Sequence, residues 1–117
     1  LLPLMALAGC VTTPEQRSFS VQEVDEKLVE WNGRTVFVSG YVYGCDGWYP
    51  CGLSEGPRAA VEDAALAIEF DPNFAEMLGK ARGYKVLIEA ELDAGCRINI
   101  CVGWPSELKP KRLIRAY

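Results

Sequence analysis

The sequence predicts a small, mainly β domain of the α+β class. Three observations carry that expectation. Arg34 to Tyr43 and Gly83 to Asp93 place apolar residues at alternate positions over long runs, as half-buried strands do. Ser20-Val21-Gln22-Glu23 opens an amphipathic helix, and the remainder is punctuated by glycine, proline and cysteine. At 117 residues the chain is sized for one domain, which buries roughly two-thirds of its unfolded surface.

Taken in order, Leu1 to Gly9 is apolar and uncharged, and far shorter than the roughly 20 residues that span a bilayer. It reads as the inner part of an export signal, with small Ala8 and Gly9 before Cys10 as a processing site. The alternative is an ordinary apolar strand holding a buried thiol. Cys10 to Phe19, mostly polar, reads as a tether. In the capping box the Ser20 hydroxyl accepts from the backbone three residues on while Glu23 reaches back. Val21, Val24, Leu28 and Trp31 then share one helical face until Asn32-Gly33 stops the run, so Val21 to Trp31 is the expected helix.

The first long strand carries Val36, Val38 and Val42 on one side with Gly40 between them, and a glycine there marks a bend or a close backbone approach. Gly44 to Gly52 is a turn-rich loop with Trp48 and Tyr49 near its tip. Arg58 to Ala64 is a helical turn or a loop, Leu66 to Phe70 a short strand, and Asp71-Pro72 a helix start with aspartate as N-cap and proline at the first position. Phe74 and Leu78, four apart, would dock that short helix. The second long strand points Val86, Ile88, Ala90 and Leu92 one way. Arg97 to Val102 alternates briefly, Gly103 to Ser106 breaks the chain, and Lys111 to Tyr117 is a terminal strand.

A net charge of −4 argues against a nonspecific nucleic-acid binder, which needs a basic face to exchange for counterions. Lys109, Lys111, Arg112 and Arg115 form a basic end that reads as a solvated strand face. With no histidine, the usual general base near neutral pH and the commonest metal ligand are missing. Acidic residues are plentiful but fall at turns, where they serve caps and solvation. No enzyme, cofactor or metal is expected. Of five cysteines, Cys45, Cys51, Cys96 and Cys101 form a set of four. Their spacings differ from the tight C-x2-C knuckles of most zinc and redox sites, and in an exported chain they read as two disulfides, with a four-thiolate metal site as the alternative.

Leu7-Ala8-Gly9-Cys10 resembles the lipobox of bacterial lipoproteins, in which the cysteine receives lipid and the preceding segment is removed. The resemblance implies a signal peptide at 1–9, a lipidated tether at 10–19 and a domain at 20–117. Val11, where an aspartate tends to retain lipoproteins at the inner membrane, implies the outer membrane, facing the periplasm. Trp31 to Val42 and Leu78 to Val86, in this order of elements, look like an OB-fold, a five-stranded Greek-key barrel, here with an N-terminal helix and a short helix between the third and fourth strands. Together with the lipobox they are similar to small OB-fold lipoproteins of Gram-negative envelopes. In such a barrel the first and fourth strands are antiparallel neighbours. Cys45 and Cys96 would then lie far apart, which leaves the local pairs Cys45–Cys51 and Cys96–Cys101.

The function this implies is a non-catalytic binding or adaptor module tethered through Cys10, touching an envelope protein or a glycan with Trp48, Tyr49 and Trp104. The same rings would alternatively pack over the disulfides and plug the barrel. Two further readings are assembly by strand addition at an open edge near Leu113 to Tyr117, and a thiol or metal enzyme built on the four cysteines.

Overall fold

The computed structural model describes residues 17–46, 50–101 and 105–117. Its elements are β1 (Ser18–Ser20), α1 (Val21–Lys27), β2 (Thr35–Tyr43), β3 (Gly52–Ser54), β4 (Ala65–Ala67), α2 (Pro72–Gly79), β5 (Lys85–Leu92), α3 (Gly95–Ile98) and β6 (Leu108–Ala116). They form a β-rich α+β fold. One six-stranded sheet runs β4-β3-β2-β5-β6, antiparallel throughout, and β1 adds to β2 in parallel. Just past β4, Ile68 forms an isolated parallel bridge with Leu108 of β6.

The alternation that marks β2 and β5 has its expected cause. Val36, Val38 and Val42 on β2 and Val86, Ile88, Ala90 and Leu92 on β5 are buried on the inner face, joined by Leu53, Leu66 and Leu108 from the short strands. Thr35 to Tyr41 pairs with Glu91 to Lys85 over seven consecutive positions, the longest ladder without a register shift. Gly40 is needed for a close approach. A Cβ there would lie 2.5 Å from Cγ2 of Val21 and 3.1 Å from both Cβ of Leu53 and the Ser54 carbonyl oxygen. The start of helix α1 therefore packs directly on β2 at Gly40, and Val21, Val24 and Leu28 are wholly buried.

The helix starts behave as read. Ser20 Oγ accepts from the Glu23 N–H at 3.1 Å and Glu23 Oε1 accepts from the Ser20 N–H at 2.9 Å. Asp71 Oδ1 accepts from the Phe74 N–H at 3.0 Å, and Phe74 and Leu78 dock α2. Several boundaries differ from expectation, among them β6, which starts at Leu108 instead of Lys111, and β3, a strand at Gly52–Ser54 where none was expected. Ser18 and Phe19, expected in the tether, belong to β1, because β2 offers a free edge beside Phe37 to Ser39. Helix α1 ends at Lys27 and continues to Gly33 as turns. Phe70, expected to close a strand, lies past the Ile68 bridge and is 71% exposed. The alternating stretch from Arg97 forms the helical turn α3 instead of a strand, because a disulfide from Cys96 to Cys101 holds Cα atoms 5.1 Å apart, too close for an extended pentapeptide span.

Candidate functional site

The two disulfides are Cys45–Cys51 and Cys96–Cys101, each closing a short local loop. Because β2 and β5 run antiparallel, the loops leave opposite ends of their ladder, about 20 Å apart at a strand rise of roughly 3.3 Å per residue. The Cys45–Cys51 end holds the loops 44–51, 68–71 and 79–84. Gly44 has φ of 75° and Cys45 of 62°, so the chain turns sharply out of β2. A Cβ on Gly44 would lie 2.2 Å from the Pro50 carbonyl oxygen, and no larger residue fits. Arg82 donates from Nη1 to the Gly44 carbonyl oxygen at 3.3 Å, and Val42 accepts from the Gly83 N–H at 2.8 Å and donates to the Tyr84 carbonyl oxygen at 3.0 Å. Cys51 is buried, which seals this staple into the core.

Around that stapled loop three aromatic rings face solvent. Phe70 is 71% exposed, Tyr84 64% and Tyr117 58%. Phe70 sits beside Cys51 and Phe74, and Tyr84 follows the Arg82 connection. The Tyr117 N–H donates to the Lys85 carbonyl oxygen at 2.9 Å, and the Lys85 and Arg115 cations lie 5.8 and 5.4 Å from its ring centre. Tyr117 is thus an exposed ring flanked by cations, and exposed aromatic rings of this kind are enriched in binding contacts. The sequence drew attention to Trp48 and Tyr49 in the same loop and to Trp104 in the other. All three, like Cys10, lie outside the described residues. Phe70, Tyr84 and Tyr117 were missed because period alone cannot tell an aromatic at a strand end from one in the core.

At the opposite end, the loop closed by Cys96–Cys101 is held by Arg97. Its guanidinium donates to the Asp25 backbone carbonyl at 2.9 Å, pairs with the Asp25 carboxylate and approaches Glu107 Oε2 at 3.4 Å. Burial opposes the Arg97 charge, but the hydrogen bonds and charges of Asp25 and Glu107 outweigh it and raise its pKa. Glu107 Oε1 in turn accepts from the Ala67 N–H at 2.8 Å. Ile98 and Ile100, held by this staple, are 55% and 97% exposed.

Two other surfaces were candidates. A shallow acidic cleft is lined by Gln22, Asp25, Glu26, Glu55, Glu62 and Asp63, but Glu55 caps the α1 N-terminus at the Gln22 N–H and Asp63 accepts from Ala60. These carboxylates have structural work. Strand β6 presents an edge, yet the register shifts opposite Leu87/Ile88 and Glu89/Ala90, and Pro110 interrupts the donors. Bulges and proline blunt an edge against strand addition. The basic residues there face β5: Lys111 meets Glu91 at 3.5 Å, Arg112 meets Glu89 at 2.6 Å and Lys109 reaches Asp93 at 4.0 Å.

Among the described residues no group of His, Cys, Asp or Glu is placed to hold a metal ion, and no helix is long and apolar enough to cross a membrane. No known family, curated protein or solved structure matches the chain.

Proposed function

We propose that this chain is a lipid-anchored, extracytoplasmic binding module without a catalytic centre, built on an OB-like barrel. The strand order, with Ile68 of the β4 side meeting Leu108 of β6 in parallel and α2 inserted between β4 and β5, supports the barrel. The lipobox resemblance at Leu7 to Cys10 supports the anchor, attached at the outer membrane and facing the periplasm. The binding surface is the Cys45–Cys51 end, where Trp48 and Tyr49 belong in sequence. The observation that carries this reading is the exposure of Tyr84 and Tyr117 at the start of β5, where the stapled loop leaves β2, and of Phe70 beside Cys51. Aromatic rings lose little side-chain entropy on contact and bury large areas, so a rigid backing makes them effective against a protein or glycan partner.

In-cell photocrosslinking tests it. A photoreactive residue replaces Tyr84, which is exposed and outside the core, and a second variant carries it at Trp48. A discrete protein or glycan adduct from both positions is the expected result. Absence of any adduct from both, with the variants folded and at normal abundance, overturns the reading.

A further inference from the structure

The first described residue, Arg17, leaves the sheet at the end opposite the aromatic surface. Strand β1 runs parallel to β2 with Ser18 beside Phe37, so the chain preceding it exits at the start of β2. The end of β5 and the Cys96–Cys101 loop lie at this same end, since Leu92 exchanges backbone bonds with Gly33 and Arg34. Asn32 joins the two regions, its Oδ1 accepting from the Ala94 N–H at 2.7 Å. Six residues separate Cys10 from Arg17. Fully extended, that link reaches at most about 25 Å. A lipid on Cys10 would therefore keep this end within about 25 Å of the bilayer.

The residues there suit that position. Phe19 and Trp31 pack with ring centres 4.9 Å apart. Arg17 lies 4.8 Å from the Phe19 ring and Arg34 4.9 Å from the Trp31 ring. Cations beside partly buried aromatics are the residues that favour a headgroup region, where an apolar body and a charged tip are both satisfied. Ile98, Ile100 and the 54% exposed Val29 add aliphatic surface at the same end. The carboxylates nearby are engaged: Asp25 and Glu107 by Arg97, Glu30 by Lys27, and Asp93 by Lys109. This lowers the repulsion that an acidic chain would otherwise meet at an anionic membrane.

We propose that the end of the domain bearing Phe19, Trp31, Ile98 and Ile100 is a membrane-docking face that rests on phospholipid and turns the aromatic surface away from it. The proposal rests on the reading of Cys10 for its orientation, but its surface is testable without the lipid. The chain from residue 10 onward, which keeps every described residue, is made with Cys10→Ser and floated with vesicles of phosphatidylethanolamine and phosphatidylglycerol. The expected result is measurable flotation, reduced roughly tenfold in Ile98→Asp/Ile100→Asp, since binding at an interface scales with buried apolar area. Val61→Asp, at a wholly exposed apolar position of the loop between β3 and β4, is expected to float as the parent does. Thermal melting checks that all three are folded. No flotation of the Cys10→Ser chain, an unchanged double variant, or an equal loss in Val61→Asp overturns the docking face. The intact mass of the Cys10 peptide from envelopes reports separately on the anchor, so unlipidated protein with a floating domain sinks the anchor alone.

Discussion

Single residues set the tightest constraints on this molecule. Gly40 is one: α1 lies so close to β2 that an added methyl meets Val21, Leu53 and the Ser54 backbone together. Val21 can shift, but a backbone carbonyl cannot move cheaply. Gly40→Ala is expected to destabilise the domain by about 1–3 kcal/mol, the usual cost of overpacking, measured as a lower urea midpoint. Tyr43 is another. Burial first, and the Glu107 carboxylate second, raise its phenol above the ordinary value of 10.0. In the unfolded chain the phenol ionises near that value while in the folded chain it stays neutral, so the stability it contributes is complete below pH 10.0 and is lost as pH rises through the raised folded value. Tyr43→Phe is expected to flatten the alkaline side of the stability curve, and an unchanged curve would show that the hydroxyl is solvated.

At the scale of elements, α2 rests on a single side-chain cap, Asp71. Asp71→Ala leaves the Phe74 N–H without its acceptor and is expected to cost about 1 kcal/mol, read by thermal or urea unfolding. The staples differ in access: Cys51 is buried, whereas Cys101 is exposed. Thiol–disulfide exchange needs an approach to sulfur, so mild reductant is expected to open Cys96–Cys101 first, with alkylation at Cys96 and Cys101 preceding that at Cys45 and Cys51 in a mass-spectrometric time course. What the sequence revealed follows the same local logic. Both caps, both long strands and the docking of Phe74 and Leu78 rest on short-range chemistry, and each could be read directly. Strands β1 and β3, three residues each, exist because β2 offers edges to them, and that is a tertiary fact. Helix α3 was hidden because Arg97, Ile98, Asn99 and Ile100 alternate in polarity while the disulfide forces a turn. The candidate surfaces were half legible. The tip aromatics could be named from turn composition, but the exposure of Phe70, Tyr84 and Ile100 depends on where neighbouring connections stop.

For the whole molecule the weakest joint is the seam between the two ends of the sheet path. Seven paired positions hold β2 to β5, whereas the end of β4 meets β6 through one bridge just past it, Ile68–Leu108, and a few bonds around it. Around it, the Glu69 N–H donates to Leu108 at 2.8 Å, the Glu107 N–H donates to Ala67 at 2.9 Å, and the Glu107 carboxylate receives the Ala67 N–H. Glu107 is thus the clamp of the seam, and through Arg97 it also holds the stapled loop and α1. Removing it leaves a part-buried amide donor unsatisfied and one ligand of Arg97 missing, so Glu107→Ala is expected to cost about 1–3 kcal/mol. Glu107→Gln, whose amide oxygen can still accept from Ala67, is expected to cost less. Native-state hydrogen exchange locates the effect. The amides of Ala67, Glu69 and Glu107 should exchange well before those of Val38 and Ile88 in the parent protein, and the gap should widen in Glu107→Ala, because local opening of a thinly bonded seam precedes global unfolding. If the seam amides instead exchange together with Val38 and Ile88, the bridge is as cooperative as the long ladder, and the sheet behaves as a closed barrel whose two faces are mechanically one.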